Sequence, residues 1–380
     1  MNSEVYVAGS GCTKFGELHD RDAGDLAREA SFRAVEDAGV EMKDVDAFYV
    51  GTVRSGAAGS FLAGAIGVRG RPVTRVENFC ASGMDAVIHA CIAVMSGSAR
   101  VALAVGVEKL RDALRRGLGF RAGHPVWGFG ATPPGLFALA ANRYMHEYGI
   151  GRETLAKVAV KNHRNGAKNP LAHFRREVTL ERVLKAPIVA YPFGVFDCSA
   201  VTDGAAAVVV AARDAATGLG KTGVTIKGFG SSVMHGNPMY DPAFEYLGFP
   251  VTEEAARKAY GMAGIGDPLK ELDFAEVHDC FTMTEILNYE DLGFAPKGEG
   301  WKMVEEGATE FDGRFPVNPS GGLKSFGHPV GATGARMIFE LHSQILGRCG
   351  ERQLGKADVG LAHNVGGPGT VSSVMILGRT

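Results

Sequence analysis

The chain of 380 residues runs through the same string of segments twice, and this repetition restricts it to two halves of like topology. Asp46-Ala47-Phe48-Tyr49-Val50-Gly51-Thr52 follows a helix-like run ending in Ala38-Gly39-Val40, and Asp273-Phe274-Ala275-Glu276-Val277-His278-Asp279 follows one ending in Ala263-Gly264-Ile265. Ala81-Ser82-Gly83 then opens a helix-like run in the first half, as Ala332-Thr333-Gly334 does in the second, and Val101-Ala102-Leu103-Ala104-Val105-Gly106 matches Val359-Gly360-Leu361-Ala362-His363-Asn364. Val5 to Gly9 and Val224 to Gly228 read as the opening strands. Strands alternating with helices predict a layered α/β protein. The Gly/Thr/Lys-rich stretch 217–223 reads as the junction. Residues 1–110 and 193–216 then form the N-terminal half and 217–380 the C-terminal half, with 111–192 an insertion that has no counterpart.

At 46% hydrophobic and a formal charge of −2, the chain can bury substantial cores in two ordinary halves. Its six cysteines, at 12, 80, 91, 198, 280 and 349, include no CxxC pair. Met1-Asn2-Ser3-Glu4 lacks the basic and apolar pattern of a signal peptide, so a reducing, cytoplasmic setting is expected. No apolar run approaches the ~18 residues of a membrane span, and neither membrane nor metal is expected.

Between Arg111 and Lys185 there are fourteen Lys/Arg against five Asp/Glu, a local balance of +9 that leaves −11 for the rest of the chain. Such a segment suits a phosphate-bearing ligand or an acidic partner. Its arginines are too dispersed, and its aromatics too scattered, for a nucleic-acid reader. Gly117-Leu118-Gly119-Phe120-Arg121-Ala122 has dinucleotide-loop spacing but follows a basic, helix-like run where a strand is required.

Four motifs turn the duplicated frame into a site. Cys80 lies in Asn78-Phe79-Cys80-Ala81-Ser82-Gly83, between the strand-like Thr74-Arg75-Val76-Glu77 and an apolar helix-like run to Met95. A thiol at a helix N-terminus is expected to favour its nucleophilic thiolate form. His278-Asp279-Cys280-Phe281 ends a second predicted strand, Gly327-His328-Pro329 follows Asn318-Pro319-Ser320-Gly321-Gly322, and His363-Asn364-Val365-Gly366-Gly367-Pro368-Gly369 ends a third. Ligands collect at strand ends in layered α/β proteins. Cys12, Cys91 and Cys349 read as small buried hydrophobes and Cys198 as structural.

These motifs, with Asp197-Cys198-Ser199-Ala200-Val201-Thr202-Asp203-Gly204, resemble the thiolase superfamily, and His278-Asp279-Cys280-Phe281 resembles its sterol-carrier-protein-x and archaeal-type branch. The resemblance spans essentially the whole chain. It implies a duplicated five-layered α-β-α-β-α thiolase fold with a loop-domain insertion, a homodimer or larger assembly, and coenzyme A as substrate with no tightly bound cofactor. The implied reaction is CoA-dependent thiolytic cleavage of a 3-ketoacyl-CoA, or the reverse Claisen condensation. Cys80 would carry the acyl group, His328 accept its proton, Cys280 serve as acid/base, and His278 with His328 polarise the thioester oxygen of the enolate. Backbone N–H groups of Cys80 and the Gly366-Gly367 turn would hold the second oxyanion, and Arg115 and Arg116 would contact CoA.

Conventional thiolases carry Asn-Glu-Ala-Phe in place of the His278 motif and a cysteine where this chain has His363, which makes His363 a secondary candidate. Cys80, His278 and His328 also resemble the triad of ketoacyl synthases, so a condensing enzyme is the alternative, along with an aldolase-type or assembly subunit. Cys280 argues against the synthase, which obtains its carbanion by decarboxylation. Branch members also work with a small zinc-ribbon/OB-fold partner, and this chain has no zinc ribbon of its own. The acyl chain, whether acetoacetyl, branched, steroid or aromatic, and the direction of flux are not fixed by the sequence.

Overall fold

The structure is a computed structural model and describes residues 4–56, 58–112, 132–236, 238 and 241–380. Arg115, Arg116, the Gly117–Ala122 motif and the aromatics Phe120, Trp127 and Phe129 lie outside the described residues.

The first half contributes β1 (Val5–Cys12), β2 (Ala47–Gly51), β3 (Val73–Val76) and β4 (Val101–Glu108). A short hairpin, β5 (Ile188–Ala190) and β6 (Phe193–Gly194), precedes β7 (Gly204–Ala212). The second half contributes β8 (Val224–Val233), β9 (Phe274–Glu276), β10 (Val359–Gly366) and β11 (Val371–Arg379). The nine strands of the large sheet follow the order β3-β2-β4-β7-β1-β8-β11-β10-β9. Within the sheet, the two halves join where β1 pairs with β8, Tyr6 with Thr225. A lone parallel bridge from Ala275 to Val317 stands beside β9 where β3 stands beside β2. Strand order in the second half therefore repeats that of the first.

Strands β4 and β7 are buried on both faces, so their residues are nearly all apolar. Leu103, Val105, Ala207 and Val209 face one core, shared with the outer helices Ala23–Ala38 and Gly59–Ile66. Ala102, Ala104, Ala206 and Val208 face the other, shared with the helix Ser82–Met95. That helix and Thr333–Ile345 form the middle layer, and the helix Pro250–Ala263 covers the far face against β8 and β11. Five layers result.

The repeated small-residue motifs have a steric origin. A Cβ on Gly83 would lie 2.5 Å from Gly331 O, and one on Gly334 would lie 2.2 Å from Met84 N, so the two middle helices can start against each other only with glycine at both places. Gly11 in β1 and Gly230 in β8 bring the outer helices equally close, with Ala30 O and Ala255 O at 2.5 and 2.3 Å from the position of a Cβ.

Within the insertion, the helices Pro133–Tyr148 and Arg152–Ala167 pack onto the second half. Part of its positive charge is spent in ion pairs with the two halves. Lys157 pairs with Glu305, Lys161 with Glu285 and Arg164 with Glu310, while Arg111 pairs with Glu17. The charge asymmetry of the sequence is in part a complementarity between this segment and the acidic halves.

Candidate active site

Cys80 follows a strained corner. Phe79 has φ 50°, a left-handed conformation uncommon for a non-glycine residue, and its N–H is tied to Glu77 Oε1 at 2.8 Å. Asn78 N donates to Ser82 Oγ at 2.9 Å, and Ser82 Oγ donates to Phe79 O at 2.5 Å. Asp85 accepts from Asn78 and Ser373, which locks the corner to β11. From above, a Cβ on Gly366 would meet Asn78 O at 2.6 Å, so this turn rests directly on the corner. The N–H groups of Gly367 and of Cys80 itself point at the Cys80 thiol.

A cavity of about 570 Å³ opens over this corner and is lined by Cys80, His278, Cys280, His328 and Gly367. Sγ of Cys80 and a ring nitrogen from each of His278 and His328 lie within 4.8 Å of one another. Among the described residues these are the side chains that could share a metal ion, with a Cys/His ligand set suited to zinc. The two imidazoles meet edge to face, centroids 5.2 Å apart. Leu110, Leu136, Phe137, Phe281 and Val330 make the remaining wall largely apolar, with Phe137 and Phe281 centroids 5.0 Å apart.

Burial governs protonation here. It pushes the Cys80 thiol up to about 12, with Glu108 adding to the shift and the Gly367 N–H opposing it. The dipole of a helix N-terminus is worth too little to offset that desolvation, so the expected resting thiolate gives way to a neutral thiol. Cys280 is pushed well above its ordinary value by burial first and by Cys80 second. Burial, then Arg336, drops His328 to about 3, and burial with His328, His363 and Arg336 holds His278 well below the imidazole range. The site is four neutral groups, two thiols and two imidazoles.

A buried polar cluster holds the two histidine loops together. Lys161 Nζ donates to Glu285 Oε1 at 2.5 Å and to Val317 O at 2.9 Å. Asn162 Nδ2 bridges Asp279 Oδ2 and Glu285 Oε2 at 2.8 and 2.7 Å. Asp279 in turn accepts from Leu323 N at 2.6 Å, four residues before the Gly327-His328-Pro329 motif. Burial, reinforced by Glu285, raises the Asp279 carboxyl. Asn318 completes the link by accepting from Val277 N at 2.9 Å.

His363 is not brought to the cavity. Its Nε2 lies 3.1 Å from Thr252 Oγ1, on the face of β10 turned toward the outer helix, and its Nδ1 accepts from His278 N at 3.5 Å. Asn364, on the opposite face, places Nδ2 2.7 Å from His278 Nδ1. Sequence reading passed over Asn364; the period-two alternation of a strand separates the faces of the two residues but does not say which faces the site. It also passed over the position of Cys198, which lines the cavity and packs beside the Cys280 loop through the bond from Ser199 N to Cys280 O at 2.8 Å.

Two family models cover most of the chain, "Thiolase, N-terminal domain" over residues 5–187 and "Thiolase C-terminal domain-like" over 230–379. The chain belongs to the thiolase family. An acetyl-CoA acetyltransferase of Methanothermobacter thermautotrophicus is 42% identical, covering 99% of this chain and all of the relative. The benzoylsuccinyl-CoA thiolase subunit BbsB of Thauera aromatica is 34% identical over 97% of this chain and 96% of its own length. Human sterol carrier protein 2 is 34% identical over 97% of this chain and 70% of the relative. Among solved structures, the Ltp2-ChsH2(DUF35) aldolase superposes with a TM-score of 0.88 at 28% identity, covering 99% of this chain and 98% of that one. The sterol-carrier-protein-x branch and the thiolase fold follow from these matches. This thiolase is an acyltransferase, and the condensing-enzyme alternative is not favoured.

Proposed function

We propose that this thiolase forms its acyl-enzyme on Cys80 and moves the α-proton of acyl-CoA with Cys280; the observation that carries the reading is that both thiols and both imidazoles line one apolar cavity. The Cys80 thiol and the His328 imidazole are both neutral at rest, so separating charge between them is uphill. Proton transfer to His328 therefore accompanies attack on the 3-keto carbonyl, where the new oxyanion receives the N–H groups of Cys80 and Gly367. His328 Nδ1 lies 2.7 Å from Thr333 Oγ1, whose own proton has Pro329 O as acceptor at 3.2 Å. This leaves Thr333 to accept from Nδ1–H and the His328 Nε2 lone pair to face the thiol.

Cleavage of the Cα–Cβ bond leaves the acyl group on Cys80 and the electron pair on the acetyl-CoA enolate. Cys280 protonates that carbon and, left as a thiolate, takes the proton of the incoming CoA thiol; the CoA sulfur then takes the acyl group from Cys80, whose sulfur recovers the proton held on His328. Run backward, the same steps form the bond. Coenzyme A is substrate, with no tightly bound cofactor. The names of the relatives support acetyl-CoA as the common two-carbon partner, and the apolar cavity suits a hydrocarbon or aromatic acyl group.

The insertion cations Lys157, Lys161 and Arg164 are paired with carboxylates, so we assign the CoA phosphate contacts to others of its basic residues, Arg115 and Arg116. A homodimer fits the family, and a small zinc-ribbon/OB-fold partner fits a relative named as a subunit and a solved neighbour that is a two-protein aldolase. We also place the chain in the cytoplasm. No described helix is long and apolar enough to cross a membrane.

The test follows acylation and proton exchange separately. Cys80→Ala is expected to abolish acyl-enzyme, read by mass spectrometry, and to lower turnover by several orders of magnitude. Cys280→Ala is expected to acylate at Cys80 from a simple acyl-CoA yet lose exchange of the acetyl-CoA α-proton with deuterated water. Full thiolytic activity in Cys280→Ala would overturn its assignment, as would acyl mass on a cysteine other than Cys80.

A further inference from the structure

We propose that Asn364 is a positioning residue that fixes His278 as its Nε2–H tautomer, so that the ring presents a proton rather than a lone pair to the cavity. The inference deepens the reading above and rests on it for its chemical consequence. Asn364 and His278 are both buried, with Asn364 Nδ2 2.7 Å from His278 Nδ1, while Asn364 Oδ1 has no hydrogen-bond partner. Two amide orientations are available. With the nitrogen toward the ring, one N–H is used and the other N–H and the carbonyl are left over; with the oxygen toward the ring, both N–H donors lose the acceptor that Nδ1 offers. Buried orphan donors are rarer than under-satisfied carbonyls, which selects the first orientation. An amide donor requires a lone pair on Nδ1, and a neutral imidazole then carries its only proton on Nε2.

The ring is neutral because burial, His328, His363 and Arg336 all disfavour its charged form. Nδ1 is occupied by Asn364, so Nε2 is the nitrogen left for the cavity. An Nε2–H group can donate to the thioester oxygen as it becomes an enolate, and it cannot accept the α-proton. The tautomer thus divides the labour: His278 holds the oxyanion, and the proton goes to Cys280.

The tautomer can be read directly in the unmutated protein by ¹⁵N-histidine solid-state spectra, with His278→Gln identifying the signal. The expected result is an unprotonated Nδ1 and a protonated Nε2; Nδ1–H in the resting enzyme overturns the proposal. Asn364→Asp offers an acceptor and is expected to move the proton to Nδ1, while Asn364→Leu removes the bias. Asn364→Asp is expected to lower α-proton exchange by about 100-fold or more while Cys80 acylation persists, the size of effect seen on losing one oxyanion donor, and Asn364→Leu by a smaller factor. Unchanged exchange in both variants overturns the positioning role. Normal exchange in Cys280→Ala would instead remove the acid/base reading and leave the tautomer result standing, so the two failures are distinguishable.

Discussion

Cys80 is partly exposed to its cavity, yet the protein packed around it holds the thiol neutral. Its raised pKa sets a sign for pH dependence: the thiolate fraction grows about tenfold per pH unit until pH nears 12. Alkylation of Cys80 by iodoacetamide in the free enzyme is therefore expected to accelerate steadily from pH 7 to 9.5. A plateau near neutrality would mean a resting thiolate. His328, lowered to about 3, keeps its basic form throughout the usual acid range, so an acid limb of kcat/KM above pH 4 belongs to another group. The Cys80, His278 and His328 donor atoms also lie close enough to capture a thiophilic cation. Added Zn²⁺ is expected to inhibit, a chelator to restore activity, and Co²⁺ to give a thiolate absorption band that Cys80→Ser lacks.

At the scale of elements, the helix Arg152–Ala167 acts as a strut between the two histidine loops. Lys161 and Asn162 reach Glu285, Val317 and Asp279, while Asn165 Nδ2 and Asn169 Nδ2 donate to Asn318 O and Ser320 O at 3.0 and 2.9 Å. Lys161→Met leaves Glu285 buried without its cation and is expected to cost about 3–5 kcal/mol in denaturant unfolding. Lys161→Met with Glu285→Leu should recover part of that stability without restoring turnover, because the loops lose their common anchor. The crossing of the middle helices is equally specific. Gly334→Ala drives a methyl group into Met84 N and should destabilise by about 1–3 kcal/mol or more, whereas Gly261→Ala, which faces open space within a helix, should be neutral or slightly stabilising.

For the whole molecule, charge is distributed so that the insertion and the two halves attract each other. Arg164→Ala and Lys157→Ala remove pairs with Glu310 and Glu305 and are expected to change stability slightly, at the scale of partly exposed ion pairs, with little effect on CoA affinity. Arg115→Ala or Arg116→Ala should weaken CoA binding, and affinity should fall with ionic strength. Salt-independent CoA affinity, indifferent to both arginines, would move the phosphate contacts to another surface.

The repeated segments determined the duplicated frame, and the four strand-end motifs singled out Cys80, His278, Cys280 and His328, which line one cavity, because backbone periodicity and the need for glycine at close helix crossings are written locally. Tertiary structure decided what depends on neighbours distant in sequence. Desolvation, supplied by walls from both halves, overrode the helix dipole at Cys80. The packing of β10 against the outer helix turned His363 toward Thr252 and Asn364 toward His278. Acidic residues more than a hundred positions away neutralised Lys157, Lys161 and Arg164, so a charge count along the chain overstated what was free for a ligand. Local pattern fixes which residues stand at strand ends; only the assembled layers fix which way each side chain faces, how dry it is and what it pairs with.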